Sequence, residues 1–387
     1  MKKVLYGTTA LVAAGVMGAG SADAKISLGI GGYMNTFFSV ASINESDDVS
    51  QDYNPTGLFS DGEVHFKGEY KHDNGITFGA NVQLEMFGDF NSGGDTIDEK
   101  YAYVDGDFGR IVAGSENSAA YIMHYAAPNV GLPVNSGWVT VFIPNTGLGM
   151  SGVNRSPLGS TYLDYGNDDN TLTYYTPRFY GFQVGLSYTP SVTGNGDGKN
   201  FPVEADVETE YSNGFAVGVN YVEDFNGFGV AISGGYRFAQ VDDTRHDPPA
   251  GTAADDYQSV SAGINLSYAG FTIGGSYANE MEGKQNCGSN SSCPVGIVNS
   301  TEGYAWDVGV SYEMGPWAFG VTYFHGQDEG QIAVKSDDEL DAVQGGVSYA
   351  LGPGISARAG VMWGQWSPEQ GDDQSGIAGA AGLSFSF

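Results

Sequence analysis

The histidines and the glycine-rich segments are the first residues of this chain to consider for chemistry. The five histidines are scattered, with no pair at metal-ligand spacing: His65, His72, His124, His246 and His325. No Gly-x-Ser-x-Gly segment is present to place a nucleophilic serine. Residues 147–152 (GLGMSG) match the glycine spacing of a dinucleotide-binding loop, but no strand–helix unit surrounds them. These patterns favour a protein that is not an enzyme and has no resident metal or cofactor.

The composition excludes several other classes. The 387 residues include 60 glycines, 13% are aromatic and only 16% are charged. The net charge of −31 opposes nucleic-acid binding, because phosphates require basic partners. A hydrophobic fraction of 41% argues against disorder, and a mean hydropathy of −0.21 argues against a bundle of membrane helices. An acidic all-β chain remains.

The N-terminus predicts export. Lys2 and Lys3 precede an apolar stretch at residues 5–20, and Ala22-Asp23-Ala24 follows the small-x-small pattern of a cleavage site. Residues 1–24 are therefore predicted to be a cleaved signal peptide, with an uncleaved membrane anchor as the alternative, and residues 25–387 to be the mature chain. Removing the two lysines and Asp23 leaves 13 bases and 45 acids, a net charge of −32.

The mature chain alternates apolar and polar residues with a period of two, which is typical of strands with one apolar face. Short turns alternate with long polar loops, as expected for a transmembrane β-barrel with short periplasmic turns and long extracellular loops. A naive count gives seventeen strands. Residues 203–221 keep one parity through Ser212, Asn213 and Gly214, however, so they are interpreted as one long strand. The fold class predicted is all-β, a 16-stranded antiparallel barrel wide enough for an aqueous channel.

Aromatic residues separate this fold from the alternative, a secreted β-sandwich adhesin. Tyrosine closes many strands, and alternate strands place these tyrosines at opposite rims. The first set is Tyr221, Tyr268, Tyr312 and Tyr349, and the second is Tyr188, Tyr277 and Tyr323. Two aromatic belts of this kind are typical of the two lipid–water interfaces.

Parity predicts which charged residues face the channel. The inward set comprises Lys67, Arg237, Arg358, Glu63, Glu69, Glu85 and Asp307. Lys100 joins this set only if Tyr101 and Tyr103 face outward. Taken singly, these charges could be ordinary decoration of a wet wall.

Residues 115–167 form a connection too long and too apolar for a solvated loop, so we expect this third loop to fold inward and narrow the channel. Its ionisable residues apart from tyrosine are Glu116, His124, Arg155 and Asp164. Glu116 is the acidic candidate to oppose Lys67, Arg237 and Arg358 across the constriction. A loop that stays outside as a lid is the alternative.

Several motifs resemble those of the general porins of Gram-negative outer membranes. Residues 99–114 (EKYAYVDGDFGRIVAG) resemble the strand–turn–strand before the constriction loop, and residues 170–182 (NTLTYYTPRFYGF) resemble the hairpin after it. Residues 115–124 with Pro128, and residues 338–343 and 351–354, resemble the α-proteobacterial, Rhodobacter-type branch. Ser115 stands where many general porins have arginine. The resemblance implies a trimeric, water-filled, sixteen-stranded porin with an inward third loop, and Phe387 resembles the C-terminal signal of barrel assembly.

These features predict an outer-membrane porin for passive diffusion of small hydrophilic solutes and ions, with weak cation preference. A barrel protease or phospholipase and an adhesive surface barrel are the alternatives. The expected partners are two further copies of the chain, lipopolysaccharide, the barrel assembly machinery and the solutes. Acidic loop runs could hold Ca²⁺. Cys287 and Cys293 lie in one polar loop and are expected to form a disulfide in the oxidising compartment.

Overall fold

The chain forms a closed antiparallel β-barrel. The computed structural model describes residues 26–44, 52–86, 97–145, 148, 150, 156–192, 211–241, 256–286, 298–331, 334 and 336–387. The predicted signal peptide, Arg155, Cys287 and Cys293 lie outside the described residues. No helix in the described part of the chain is long and apolar enough to cross a membrane.

Sixteen strands make up the wall. The first eight are β1 (Ser27–Asn44), β2 (Thr56–Lys71), β3 (Thr77–Glu85), β4 (Lys100–Gly106), β5 (Gly109–Ser115), β6 (Asn170–Tyr175), β7 (Phe182–Val192) and β8 (Tyr211–Phe225). The second eight are β9 (Phe228–Val241), β10 (Tyr257–Tyr268), β11 (Phe271–Glu282, continued by Lys284–Asn286), β12 (Val298–Met314), β13 (Trp317–Gln331), β14 (Asp338–Gly352), β15 (Ile355–Ser367) and β16 (Gln374–Ser386).

Each strand pairs with its sequence neighbours, and β1 also pairs with β16, which closes the barrel. Phe387 completes the seam, because its N–H donates to Gly32 O at 3.0 Å and the Gly32 N–H donates back at 2.9 Å. The predicted count of sixteen is confirmed. Ser212, Asn213 and Gly214 lie inside β8 as an irregularity of the β8–β9 register, so no hairpin forms there. The upper part of the predicted long strand, residues 203–210, lies outside the described residues.

The seven connections at one end of the barrel, the short-turn rim, have at most six residues: 72–76, 107–108, 176–181, 226–227, 269–270, 315–316 and 353–354. The connections at the opposite end, the long-loop rim, have six residues or more, from 332–337 and 368–373 up to 116–169. Both predicted aromatic belts form. The ring centroids of Tyr312 and Phe271 are 4.3 Å apart towards the short-turn rim, and those of Tyr188 and Phe215 are 5.0 Å apart towards the long-loop rim.

The alternation of residue type follows the two faces of the wall. Phe66 and Val361 are 45% and 53% exposed on the outward face, whereas Met362, the next residue on β15, is fully buried inside. Because a bilayer rather than water solvates such an outward apolar surface, this pattern is typical of membrane barrels.

The buried core lies between the inner wall and the third loop, residues 116–169. The loop has two short helices, α1 (Ala119–Ile122) and α2 (Val139–Phe142). Phe142 packs against Phe37 of β1 and Phe59 of β2 at ring-centroid distances of 6.4 and 6.3 Å. Because this core lies between the loop and the inner wall, it fixes the loop inside the barrel.

Candidate functional site

The third loop runs along much of the inner wall. Ser118 caps α1 by accepting a hydrogen bond from the Tyr121 N–H, and the Ala119 N–H donates to Ser187 Oγ of β7 at 2.9 Å. The Tyr125 N–H donates to Ser233 Oγ of β9 at 2.9 Å. Small hydroxyl residues on the wall thus satisfy backbone groups that would otherwise be buried without partners.

Asp307 on β12 receives the next part of the loop. Both of its carboxylate oxygens lie 3.2 Å from the Ala127 nitrogen, and Asn135 Nδ2 donates to Oδ2 at 2.5 Å. Ser276 Oγ of β11 donates to Oδ1 at 2.7 Å. We call these four residues the loop anchor. A carboxylate that is 3% exposed can remain there because it has several donors around it.

Beyond the anchor, the loop continues over β13 to β16. Thr322 Oγ1 donates to Pro128 O at 2.6 Å, and Trp366 Nε1 donates to Ile143 O at 3.0 Å. At Gly346 the loop backbone approaches so closely that a Cβ would lie 2.1 Å from Val130 O. Glycine is therefore required on the wall at this point.

The return limb, residues 156–169, packs back towards β9. Arg237 is 1% exposed and donates to Gly166 O at 3.2 Å and to Leu163 O at 3.5 Å. His124 Nε2 lies 3.3 Å from Thr161 Oγ1, and its ring lies 4.9 Å from that of Tyr162. Burial lowers the pKa of His124 to about 4, so the imidazole is neutral at physiological pH.

The wall from β2 to β5 carries a charged surface. Lys67 Nζ lies 2.8 Å from Glu69 Oε2, and Tyr103 OH donates to the same oxygen at 2.8 Å. The Arg110 guanidinium carbon lies 4.2 Å from the Tyr103 ring centroid. The Lys67 and Glu69 side chains are 47% and 33% exposed, which indicates that this surface is solvated.

Carboxyl groups collect above this surface, towards the long-loop rim. One carboxylate oxygen from each of Glu63, Glu85 and Asp98 lies within 4.8 Å of the others, an arrangement that could hold a cation. At the root of the loop, Asn117 Nδ2 donates to Glu99 at 2.6 Å. Burial raises the pKa of Glu99, and the charge of Glu116 raises it further.

Burial likewise raises the pKa of Glu116 and of Asp168, so these carboxyls hold their protons more readily than exposed carboxyls do. The loop root therefore carries less negative charge than the sequence suggests.

The structure brings only part of the predicted set together. Lys67, Glu63 and Glu85 face the interior on neighbouring strands, and Glu116 lies at the junction of β5 and the loop, as predicted. Arg358 faces inward on β15, since it shares the face of Met362 and Trp366. Asp164 is half-buried and accepts a hydrogen bond from the Ser156 N–H at 3.1 Å.

Other predicted residues are placed differently. Arg237 and Asp307 face inward from the wall but are buried beneath the loop, and His124 is buried within the loop itself, so these residues hold the loop in place and do not line the channel. Lys100 faces outward, because Tyr101 and Tyr103 on the same strand face the lumen and contact Asn81 and Glu69. The condition set for including Lys100 in the inward set is therefore not met.

Sequence reasoning missed two channel-facing arginines and one loop-holding residue. Arg110 follows the tight turn after β4, and its parity with Val112 would have placed it inside. Arg178, in the 176–181 turn, donates to Asn220 Oδ1 on the inner face of β8 at 2.8 Å. No local signal marks Asn135, because its carboxylate partner lies 172 residues away.

Comparison with known proteins agrees with this architecture. The model of the Gram-negative porin family matches residues 7–365. No curated protein sequence matches the chain.

Among solved structures, the anion-selective porin from Comamonas acidovorans has a TM-score of 0.58 at 16% identity, covering 94% of this chain and 100% of that one. OmpT of Vibrio cholerae has a TM-score of 0.56 at 13% identity, covering 96% and 100%. A triple mutant of Rhodopseudomonas blastica porin has a TM-score of 0.55 at 14% identity, covering 93% and 100%. These likenesses show the shared fold, and the family model, which spans most of the chain, shows that this protein belongs to the Gram-negative porin family.

Proposed function

We propose that the protein forms a water-filled channel in a Gram-negative outer membrane for passive diffusion of small hydrophilic solutes and ions. The observation that carries the proposal is the solvated charged wall around Lys67, Glu69 and Arg110, inside a closed barrel whose outer face is apolar. Such a wall can be hydrated only if the lumen holds water. The third loop lies against the opposite wall and sets the free width.

Ion preference should be weak and favour cations at the long-loop mouth. The carboxyl groups of Glu63, Glu85 and Asp98 cluster near that end, and the chain as a whole carries −31. Fixed charge of one sign enriches the opposite ion near it. Screening limits this reach to about 8 Å at physiological salt, so the preference should fade as salt rises.

A homotrimer is the proposed assembly. β4, β5 and β6 have only 7, 7 and 6 residues, fewer than the roughly 9–11 that a tilted strand needs to cross the hydrocarbon core. Their outward residues include Ile111 and Leu172, which are 40% and 54% exposed in the single chain. A part of the wall that is apolar outside and built from such short strands is suited to contact with neighbouring copies of the chain. One structure of OmpT from Vibrio cholerae is described as a trimer. The other proposed partners are lipopolysaccharide and the barrel assembly machinery, which would recognise the C-terminal strand that ends in Phe387.

Planar-bilayer recording tests the proposal. Purified protein should insert in large ohmic steps, grouped in threes, and a KCl gradient should give a small reversal potential of cation-selective sign at low salt. Absence of ohmic steps would overturn the channel and leave the barrel enzyme or the adhesive barrel. Cross-linking of the detergent-solubilised protein should yield a three-chain species, and a monomer alone would contradict the assembly.

A further inference from the structure

Apart from Arg237, which the third loop covers, the positive charge inside the described lumen lies near the short-turn rim. Arg110 is the second residue of β5, Arg358 the fourth of β15, and Arg178 lies in the 176–181 turn. Lys67 is the fifth residue from the short-turn end of β2. We call these four residues the basic zone.

The three arginines have no ion pair within the described residues. Arg178 donates to neutral oxygens, Gly181 O at 2.6 Å and Gln183 Oε1 at 2.9 Å, besides Asn220. Arg110 stacks over Tyr103, and Arg358 has a buried Nε without a hydrogen-bond partner. Asp105 lies opposite Arg110 in the β4–β5 register without forming an ion pair. Only Lys67 is neutralised directly, by Glu69. In so acidic a chain, these unpaired guanidinium groups form a separate region of positive charge.

Apart from Glu69 and Asp105, the carboxyl groups of this charged wall lie at the other end. Asp61, Glu63, Glu85 and Asp98 form what we call the acidic zone. Glu63 and Lys67 are four residues apart on β2, about 13 Å along the strand at 3.3 Å per residue. Arg110 lies opposite Asp105 in the β4–β5 register, and Asp98 is seven residues from Asp105 along the chain, towards the long-loop rim. The two zones are thus separated by more than the screening length of about 8 Å at physiological salt.

We propose that the lumen is polarised along the pore axis, and that the ion it prefers depends on which side of the membrane is dilute. Arg110, Arg178 and Arg358 are the residues that determine this dependence. The inference rests on the proposed channel function. The screening length is about 10 Å at 0.1 M salt and about 3 Å at 1 M. The zone that faces the dilute solution therefore attracts or repels the permeating ions, whereas the charges of the other zone are screened.

The test is a reversal-potential measurement with 1 M and 0.1 M KCl in both directions. Streptavidin binding to a biotin-acceptor tag inserted between Asn226 and Gly227 identifies the short-turn side of each channel. With dilute salt at the long-loop side, the channel should prefer K⁺. With dilute salt at the short-turn side, the K⁺/Cl⁻ permeability ratio should fall by at least roughly twofold, because the basic zone is then unscreened.

Variants identify the residues responsible. The combination of Arg110→Gln and Arg358→Gln should reduce the difference in K⁺/Cl⁻ permeability ratio between the two directions of the salt gradient. Adding Arg178→Gln should abolish this difference. The double variant keeps the hydrogen bonds of Arg178, so it remains informative if the triple variant does not fold. Lys100→Gln is the matched control, because it removes a positive charge from the outward face and should leave the difference intact.

The outcomes separate the two proposals. Equal permeability ratios in both directions for the native protein, or a difference that survives in the arginine variants, would overturn the polarised lumen and leave the channel standing. Absence of any conductance would overturn the channel function and the polarised lumen with it.

Discussion

Replacing Asp307 with alanine should release the third loop from the wall. The carboxylate accepts hydrogen bonds from three groups, the Ala127 N–H, Asn135 Nδ2 and Ser276 Oγ, all of them in the interior. Leaving a buried donor without a partner costs about 1–3 kcal/mol. Ser276 Oγ can still donate to Thr161 Oγ1, so two donors lose their partner, at a cost of roughly 2–6 kcal/mol that is reduced because the variant no longer buries a charge. A net loss of about 3 kcal/mol would raise the undocked fraction of the loop about a hundredfold.

Single-channel recording and limited proteolysis report this change. Asp307→Ala should show higher open-channel noise with excursions to larger conductance, and faster cleavage within residues 126–145. Ser276→Ala removes one donor only and should have a smaller effect. Asp341→Ala is the matched control, since that carboxylate contacts Tyr323 and His325 away from the loop. A variant at Asp307 that folds with unchanged noise, conductance and protease resistance would refute the anchoring role.

Three further predictions concern the loop and the cysteines. Arg237→Met should raise open-channel noise without shifting the reversal potential, because the guanidinium is 1% exposed and contacts only loop carbonyls among its described hydrogen bonds; a clear shift towards cations would show that its charge reaches the channel. Burial lowers the pKa of His124 from 6.5 to about 4, so its contribution to loop docking is complete above pH 6.5 and falls by up to roughly 3 kcal/mol as pH drops towards 4. Channel noise should therefore rise over that range in the native protein and less so in His124→Gln, and identical pH profiles would contradict this. Cys287 and Cys293 should give no reactive thiols in denaturant without reductant, whereas two thiols per chain would disprove the disulfide.

The strand pattern could be predicted from sequence because side-chain direction in a strand is a local property. Successive residues point to opposite faces, so Phe66 and Lys67 are assigned to lipid and lumen from their neighbours alone. The same parity resolved the count of sixteen at Ser212–Gly214, where an irregularity in β8 imitates a turn. Lys100 shows where the local signal fails. Tyrosine suits either a lumen or an interface, and only the contacts of Tyr101 and Tyr103 decide which face of β4 is inside.

The constriction depended on contacts that the local sequence does not encode. Parity placed Arg237 and Asp307 inside the barrel, but it contains no information about what covers them. Asp307 meets Ala127 across 180 residues, and Trp366 meets Ile143 across 223. Composition and alternation thus determined the barrel, its membrane face and the inward direction of most wall charges. The closed barrel determined which of those charges the loop buries and which remain in water, because that depends on the lowest free energy of the whole packed interior.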